Sequence, residues 1–440
     1  MVGRRRRMRF FLKMRSSVLK TQYTNRARGD SVKGRHSAAP LYPVIICCGI
    51  SYVSFFVAAG SPLYYLVVVC AAISAIIEIN WRGKRTTELL FFAAVAAMPV
   101  YVTIAQTLFL PYYRINDVSL QNISYGAAIS LVLFFCYVSR KIPELNFNAA
   151  MRMVALLHIP ILAFGAYASF QQWGVDQNGR LIAVIPTAVW GEIALGVLVA
   201  ALLSESKLSM AAILPFVVLI IVQSQMRGAG LACAALLSTY FILDRSRTAI
   251  RLKWVLLLVG ICVMTVFADK LVAFVSDALL LSDEHRGISS GFSGRFENWR
   301  KGFEVYLESP IIGLGPAHPD ASYTHNGFLK VLAEYGILVA APLFATYFYV
   351  WAIVLLRRDQ KKLAILVAYT IFVLTAPRYI NFQIAPLVLL FAMSRYDIPK
   401  YKVNSQRNRK AHFHAITNAP LRSLARARRA KSTSPKSSLS

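Results

Sequence analysis

Apolar residues fall in long unbroken runs along this chain. They do not show the period-two alternation of half-buried strands or the narrow stripe of a soluble surface helix. The runs lie at about 41–59, 62–79, 88–110, 122–138, 151–170, 181–203, 208–223, 229–243 and 252–268, and then at 337–356, 363–376 and 379–394. Many approach the ~20 residues that a helix needs to cross a bilayer core. The pattern predicts an all-α protein, a polytopic transmembrane bundle of about twelve spans. Residues 1–40 form a tail, 41–268 carry spans one to nine, 269–336 form a large polar loop, 337–394 carry the last three spans, and 395–440 form a second tail. An even number of spans puts both tails on one side.

Composition supports this reading. The 440 residues are 57% apolar, and mean hydropathy is +0.51. The formal charge of +29 would by itself allow a nucleic-acid partner. Its distribution argues against one. Twelve of the 49 Lys and Arg lie in 1–40 and twelve in 395–440. Basic tails beside spans are held by anionic lipid on the cytoplasmic side. No aromatic residues interleave with them as in a nucleic-acid module. The basic N-terminal region is too long for a cleavable signal peptide, and no small-residue cleavage site precedes the first apolar run. The six cysteines, Cys47, Cys48, Cys70, Cys136, Cys233 and Cys262, all fall in apolar runs. They are expected to be small buried hydrophobes, with no metal site and no disulfide framework.

Charge also sets the sidedness. With the N-terminus inside, the short inner connections carry fourteen Lys and Arg, and the short outer ones carry only Arg114, Arg180, Arg227 and Arg378. The positive-inside rule then places the long polar loop outside. The outer arginines run against that bias, so topology does not account for them. Arg227 is the sharpest case. It sits between Ile220-Ile-Val-Gln-Ser-Gln-Met and Gly228-Ala-Gly-Leu-Ala, close to membrane depth on both sides. An arginine at that depth costs about 2.5–3.5 kcal/mol on insertion scales and calls for a partner or a wet cavity. Either lipid phosphate or an anionic substrate would serve.

The loop itself has structure. Leu271 to Leu281 is apolar but too short to span, and Arg286 to Gly294 is rich in Gly and Ser, which predicts a mobile stretch. Arg295 to Leu307 has a helical period, with Phe296, Trp299, Phe303 and Leu307 on one face. Such a helix suits the outer leaflet or the mouth of the bundle. Pro310 ends it, Gly313-Leu-Gly-Pro316 turns, and a second helix runs from near His325 to Gly336.

The loop's chemistry is cationic, with one well-placed base. No nucleotide-activated donor exists outside the cytoplasm, so a transfer there needs a donor activated beforehand. A polyprenyl-diphosphate sugar meets that need, because its leaving group departs without protonation. Arginine forks match phosphate oxygens, and a neutral histidine can take a proton from an acceptor hydroxyl. His325 is placed at a helix start, where the dipole disfavours imidazolium. His318 is its rival after the turn. Arg295, Arg300 and Lys301 lie nearby in sequence, and Glu192 is an acid inside a span.

Three stretches of this loop carry a resemblance. Ser293-Gly-Arg-Phe-Glu-Asn-Trp, Pro310-Ile-Ile-Gly-Leu-Gly-Pro and Thr324-His-Asn-Gly-Phe-Leu resemble the O-antigen ligase and O-antigen polymerase superfamily. Its Gly-Arg-x-x-x-Trp corresponds to Gly294, Arg295 and Trp299, and its His-Asn-x-x-Leu to His325, Asn326 and Leu329. Its Ser-Arg-Gly is similar to Met226-Arg-Gly, with Met226 in place of the serine. The likeness covers about 205–360 and does not separate ligases from polymerases.

The resemblance implies a metal-independent, cofactor-free glycosyltransferase in a bacterial inner membrane, with both termini cytoplasmic and the loop periplasmic. Its donor would be an undecaprenyl-diphosphate-linked glycan. Its acceptor would be lipid A core, or another lipid-linked glycan in exopolysaccharide or O-antigen repeat-unit polymerisation. Arg227 and Arg295 would hold the diphosphate, with Arg300, Lys301 and Arg378 in support, and His325 would be the base. A transporter or flippase is the alternative from another class. It would favour internal repeats and paired broken helices, and the sequence has no clear repeat.

Overall fold

The computed structural model describes residues 40–56, 62–78, 86–171, 174–176, 180–244, 250, 253, 291–322, 324–376 and 384–395. Predicted features at 252–268 and 271–281, the two tails save Pro40 and Arg395, Cys262 and Arg378 lie outside these residues. Helices occupy the other apolar runs. They are α1 (Leu41–Phe56), α2 (Pro62–Glu78), α3 (Thr86–Phe109), α4 (Pro111–Ile115), α5 (Ser119–Lys141), α6 (Glu144–Leu157), α7 (Ile159–Phe170), α8 (Thr187–Leu203), α9 (Lys207–Ser224) and α10 (Arg227–Leu243). After them come α11 (Gly291–Glu308), α12 (Pro319–Ser322), α13 (Gly327–Arg357), α14 (Gln360–Thr375) and α15 (Ile384–Ser394). No strand is present among the described residues, only an isolated bridge between Val175 and Leu181.

Four segments are long and apolar enough to cross a membrane: Ser119–Lys141, Glu144–Phe170, Lys207–Ser224 and Gly327–Arg357. Six shorter apolar helices accompany them among the described residues. Among the described residues these four segments meet the full length and hydropathy requirement.

The core is built around α8. Every residue from Trp190 to Leu203 is buried, and a helix that is apolar all round belongs in the interior. It packs against α6, α9, α10 and α15. Glycines admit the closest approaches. Gly165 lies under the Trp190 ring, and Gly191 lies against Met226 and Ala229.

Polar contacts join helix ends in two groups, which define the two ends of the bundle. At one end Leu41 N donates to Glu78 Oε1 (2.6 Å), Arg395 donates to the carbonyls of Ser139 and Ile142, and Lys361 pairs with Glu205 (2.5 Å). At the other end Leu181 N donates to Gln223 O (2.9 Å), Gly228 touches Thr375, and the loop elements α11 and α12 pack on α13. The described helices thus alternate between ends, as the apolar runs require.

One feature of the loop differs from expectation. Helix α11 begins at Gly291, so Gly291 to Gly294 are helical where their composition predicts mobility. Its aromatic stripe is divided: Trp299 is half-buried, and the other members face outward, as a helix on the outer leaflet allows. Phe296, Phe303 and Leu307 are exposed, and Gly302 and Val305 form the face buried in the protein. Gly302 is required there, since a Cβ would collide with Thr324. Val305, Leu314, Ala321 and Ala333 close a small core between α11, the turn, α12 and α13. The cysteines are also mixed. Cys47, Cys48 and Cys233 are buried, but Cys70 is exposed to the outside of the bundle.

Candidate active site

The site grows from the start of α13. Asn326 caps it: its Oδ1 accepts from Phe328 N (2.9 Å) and Leu329 N (3.2 Å), which satisfies two amides that the helix cannot. His325 precedes the cap and is exposed. It stands at the positive end of the helix, as predicted, one residue outside the cap. Partial burial lowers its pKa below the ordinary 6.5, and the charges of Arg295 and then Lys330 lower it further. Each cause favours neutral imidazole near pH 7.

Arg295 is half-buried on α11 and close enough to act on His325. Two polar atoms sit beside this pair. Thr324 Oγ1 and Trp299 Nε1 are buried without a hydrogen-bond partner among the described residues. Lys330, which the sequence reading did not single out, reaches Glu334 at 3.4 Å, and Glu334 is only 5% exposed. The signal for it was the i, i+4 spacing of opposite charges one turn past the histidine.

The other candidates separate from this pair. Arg300 is on the exposed face of α11, bonded to Glu297 (2.7 Å) and near Glu304 (3.7 Å). Lys301 is exposed on the same helix. Arg227 is half-buried at the first position of α10, an element separate from those that carry Arg295 and His325. Its predecessor Met226 is the N-cap and makes no side-chain cap bond. A serine there would offer one. Met226 packs instead on Gly191, and Ser224 Oγ receives the Met226 amide at 3.4 Å. Glu192 is buried on α8 beside Gly191. His318 is engaged elsewhere, with its ring 4.3 Å from that of Tyr112 and its Nδ1 3.7 Å from Asp320.

One consequence is measurable. A base at His325 must be neutral, so the acid limb of the rate profile should fall below pH ~6.5. Lys330→Gln removes a charge that lowers the imidazole pKa. The limb should then move to higher pH with the alkaline plateau retained, as read from initial rates between pH 5 and 8. A limb that stays in place excludes His325 as the titrating group or Lys330 as its neighbour.

The class follows from these features: a membrane protein, all-α among the described residues, with the polar elements α11 and α12 packed on α13. Within that class, residues 193–344 match the family model of the O-antigen ligase. This segment holds Arg227, Arg295 and His325, and over it the chain is similar to the O-antigen ligase family. No curated protein matches the chain.

Proposed function

We propose that the protein transfers a glycan from undecaprenyl diphosphate to an acceptor hydroxyl at the periplasmic face of a bacterial inner membrane. What carries the reading is that burial and the charge of Arg295 both favour neutral His325, with arginine and base inside the matched segment. His325 takes the acceptor proton, and the acceptor oxygen attacks the anomeric carbon. The bond to the diphosphate breaks with inversion, and the diphosphate leaves held by Arg295 and Arg227. Its charge is met by arginine forks, so the scheme needs no metal and no cofactor. Arg300 and Lys301 draw the anionic donor toward the loop, and Arg378 is a further candidate for the same role.

The acceptor is lipid A core in a ligase. In a polymerase it is a second lipid-linked repeat unit. A glycan gel of cells lacking the protein separates them. Loss of every ladder band on lipopolysaccharide is expected for a ligase. Single repeat units persisting without long polymer would make it a polymerase. Unchanged glycans with altered lipid movement across the membrane would mark a transporter.

A further inference from the structure

The break in α13 has a support from the far side of the sequence. Gly336 interrupts the helix with φ 62° and ψ −168°, a conformation open essentially to glycine alone. The nine residues that follow Asn326 are therefore not held by continuity with the span below. They are held by a turn, residues 310–315, laid against the break. Leu314 N donates to Ala333 O (2.8 Å), Gly315 N to Glu334 O (2.9 Å), Ile337 N to Pro310 O (2.9 Å) and Leu338 N to Ile311 O (3.2 Å). A Cβ on Gly336 would run into the Ile311 carbonyl, so this pairing also demands the glycine.

Three side chains from α3, α4 and α5 grip that pairing. Gln106 Nε2 donates to Ile312 O (2.5 Å) and to Glu334 O (2.6 Å), one on each side of it. Tyr113 OH donates to Leu314 O (2.6 Å). Asn122 Nδ2 donates to Gln106 Oε1 (3.1 Å) and Thr103 O (3.2 Å), and its Oδ1 faces Ala317 N at 3.5 Å. Gln106, Tyr113 and Asn122 are all fully buried. The network admits one amide orientation, because flipping Gln106 would set its oxygen against two carbonyl oxygens. Gly315 lies so close to Tyr113 that no larger residue fits.

We infer that Gln106, oriented by Asn122 and assisted by Tyr113, is a positioning residue for the reaction: it locks the loop onto α3 and so fixes the segment of α13 that presents His325. This rests on the transfer reaction proposed above. Loss of the lock lets the base wander from the attacking hydroxyl, and small displacements of a catalytic group are costly. Donor binding, which depends on arginines of α10 and α11, is left largely in place.

The test uses the full chain in lipid vesicles, as wild type, Gln106→Glu, Gln106→Leu and Tyr113→Phe. Glutamate keeps the shape of glutamine but, when ionised, has no donor. Gln106→Glu should lower kcat by about ten-fold or more, and KM for the lipid-linked donor should stay within about two-fold. Amide exchange at Leu314 and Gly315 should accelerate in the same protein. Tyr113→Phe, which removes only a hydroxyl, should shift both readouts the same way by less, and it carries the test if Gln106→Glu fails to insert. Wild-type kcat in both variants overturns the inference. So does loss of activity in Gln106→Leu that Gln106→Glu does not share, since that is space filling. A wild-type protein without transfer activity overturns the proposed reaction instead, and amide exchange still reads the lock.

Discussion

Replacing His325 with alanine is expected to reduce glycan transfer by about 10²- to 10⁴-fold, the usual contribution of a positioned general base. Membrane insertion should be unaffected. The side chain is exposed, and the helix cap belongs to Asn326, so little folding energy is at stake. The substitution thus separates chemistry from stability. Donor affinity should hardly change, because the imidazole is neutral and the arginines remain. A variant that keeps wild-type turnover would remove the base from the scheme, and His318 would not replace it, being packed on Tyr112.

The second large effect is expected from Arg295→Ala. A charge-assisted hydrogen bond is worth about 1.5–3 kcal/mol, or roughly ten- to 150-fold in rate. Two bonds from one guanidinium to a diphosphate would exceed that. Because charge accumulates on the leaving group, the loss should appear in kcat as well as in KM. Arg295→Lys should recover only part of it, since an ammonium cannot make the planar fork. The alanine variant should also raise the pKa of His325, because the arginine charge lowers it. A raised acid limb beside a lowered plateau is the signature of both roles. Steady-state rates against donor concentration and pH read it directly.

Much of this was legible in the sequence, for physical reasons. Apolar runs of bilayer length can form only helices, so they met helices wherever the structure describes them. His325 next to Asn326 announced a helix start, and Gly336 announced its interruption. The aromatic period of α11 was legible too, but not its direction. Periodicity finds a stripe without saying which side the protein occupies. Gly302 and Thr324, which settle that, are 22 residues apart and unremarkable alone. The lock was invisible for the same reason. Gln106 lies within an apolar run more than two hundred residues from Ile312 and Glu334. Its only trace was a carboxamide at membrane depth, and sequence alone does not give such a group its partners.

In the proposed transfer, bond formation at the acceptor and bond cleavage at the diphosphate are one event. Purified protein in vesicles, supplied with a polyprenyl-diphosphate-linked glycan and acceptor, tests it by the release of free polyprenyl diphosphate. One diphosphate should be released per glycan joined, with both events slowed together by about 10²- to 10⁴-fold in His325→Ala. Glycan crossing the bilayer with its diphosphate bond intact, at equal rates in both proteins, would contradict it.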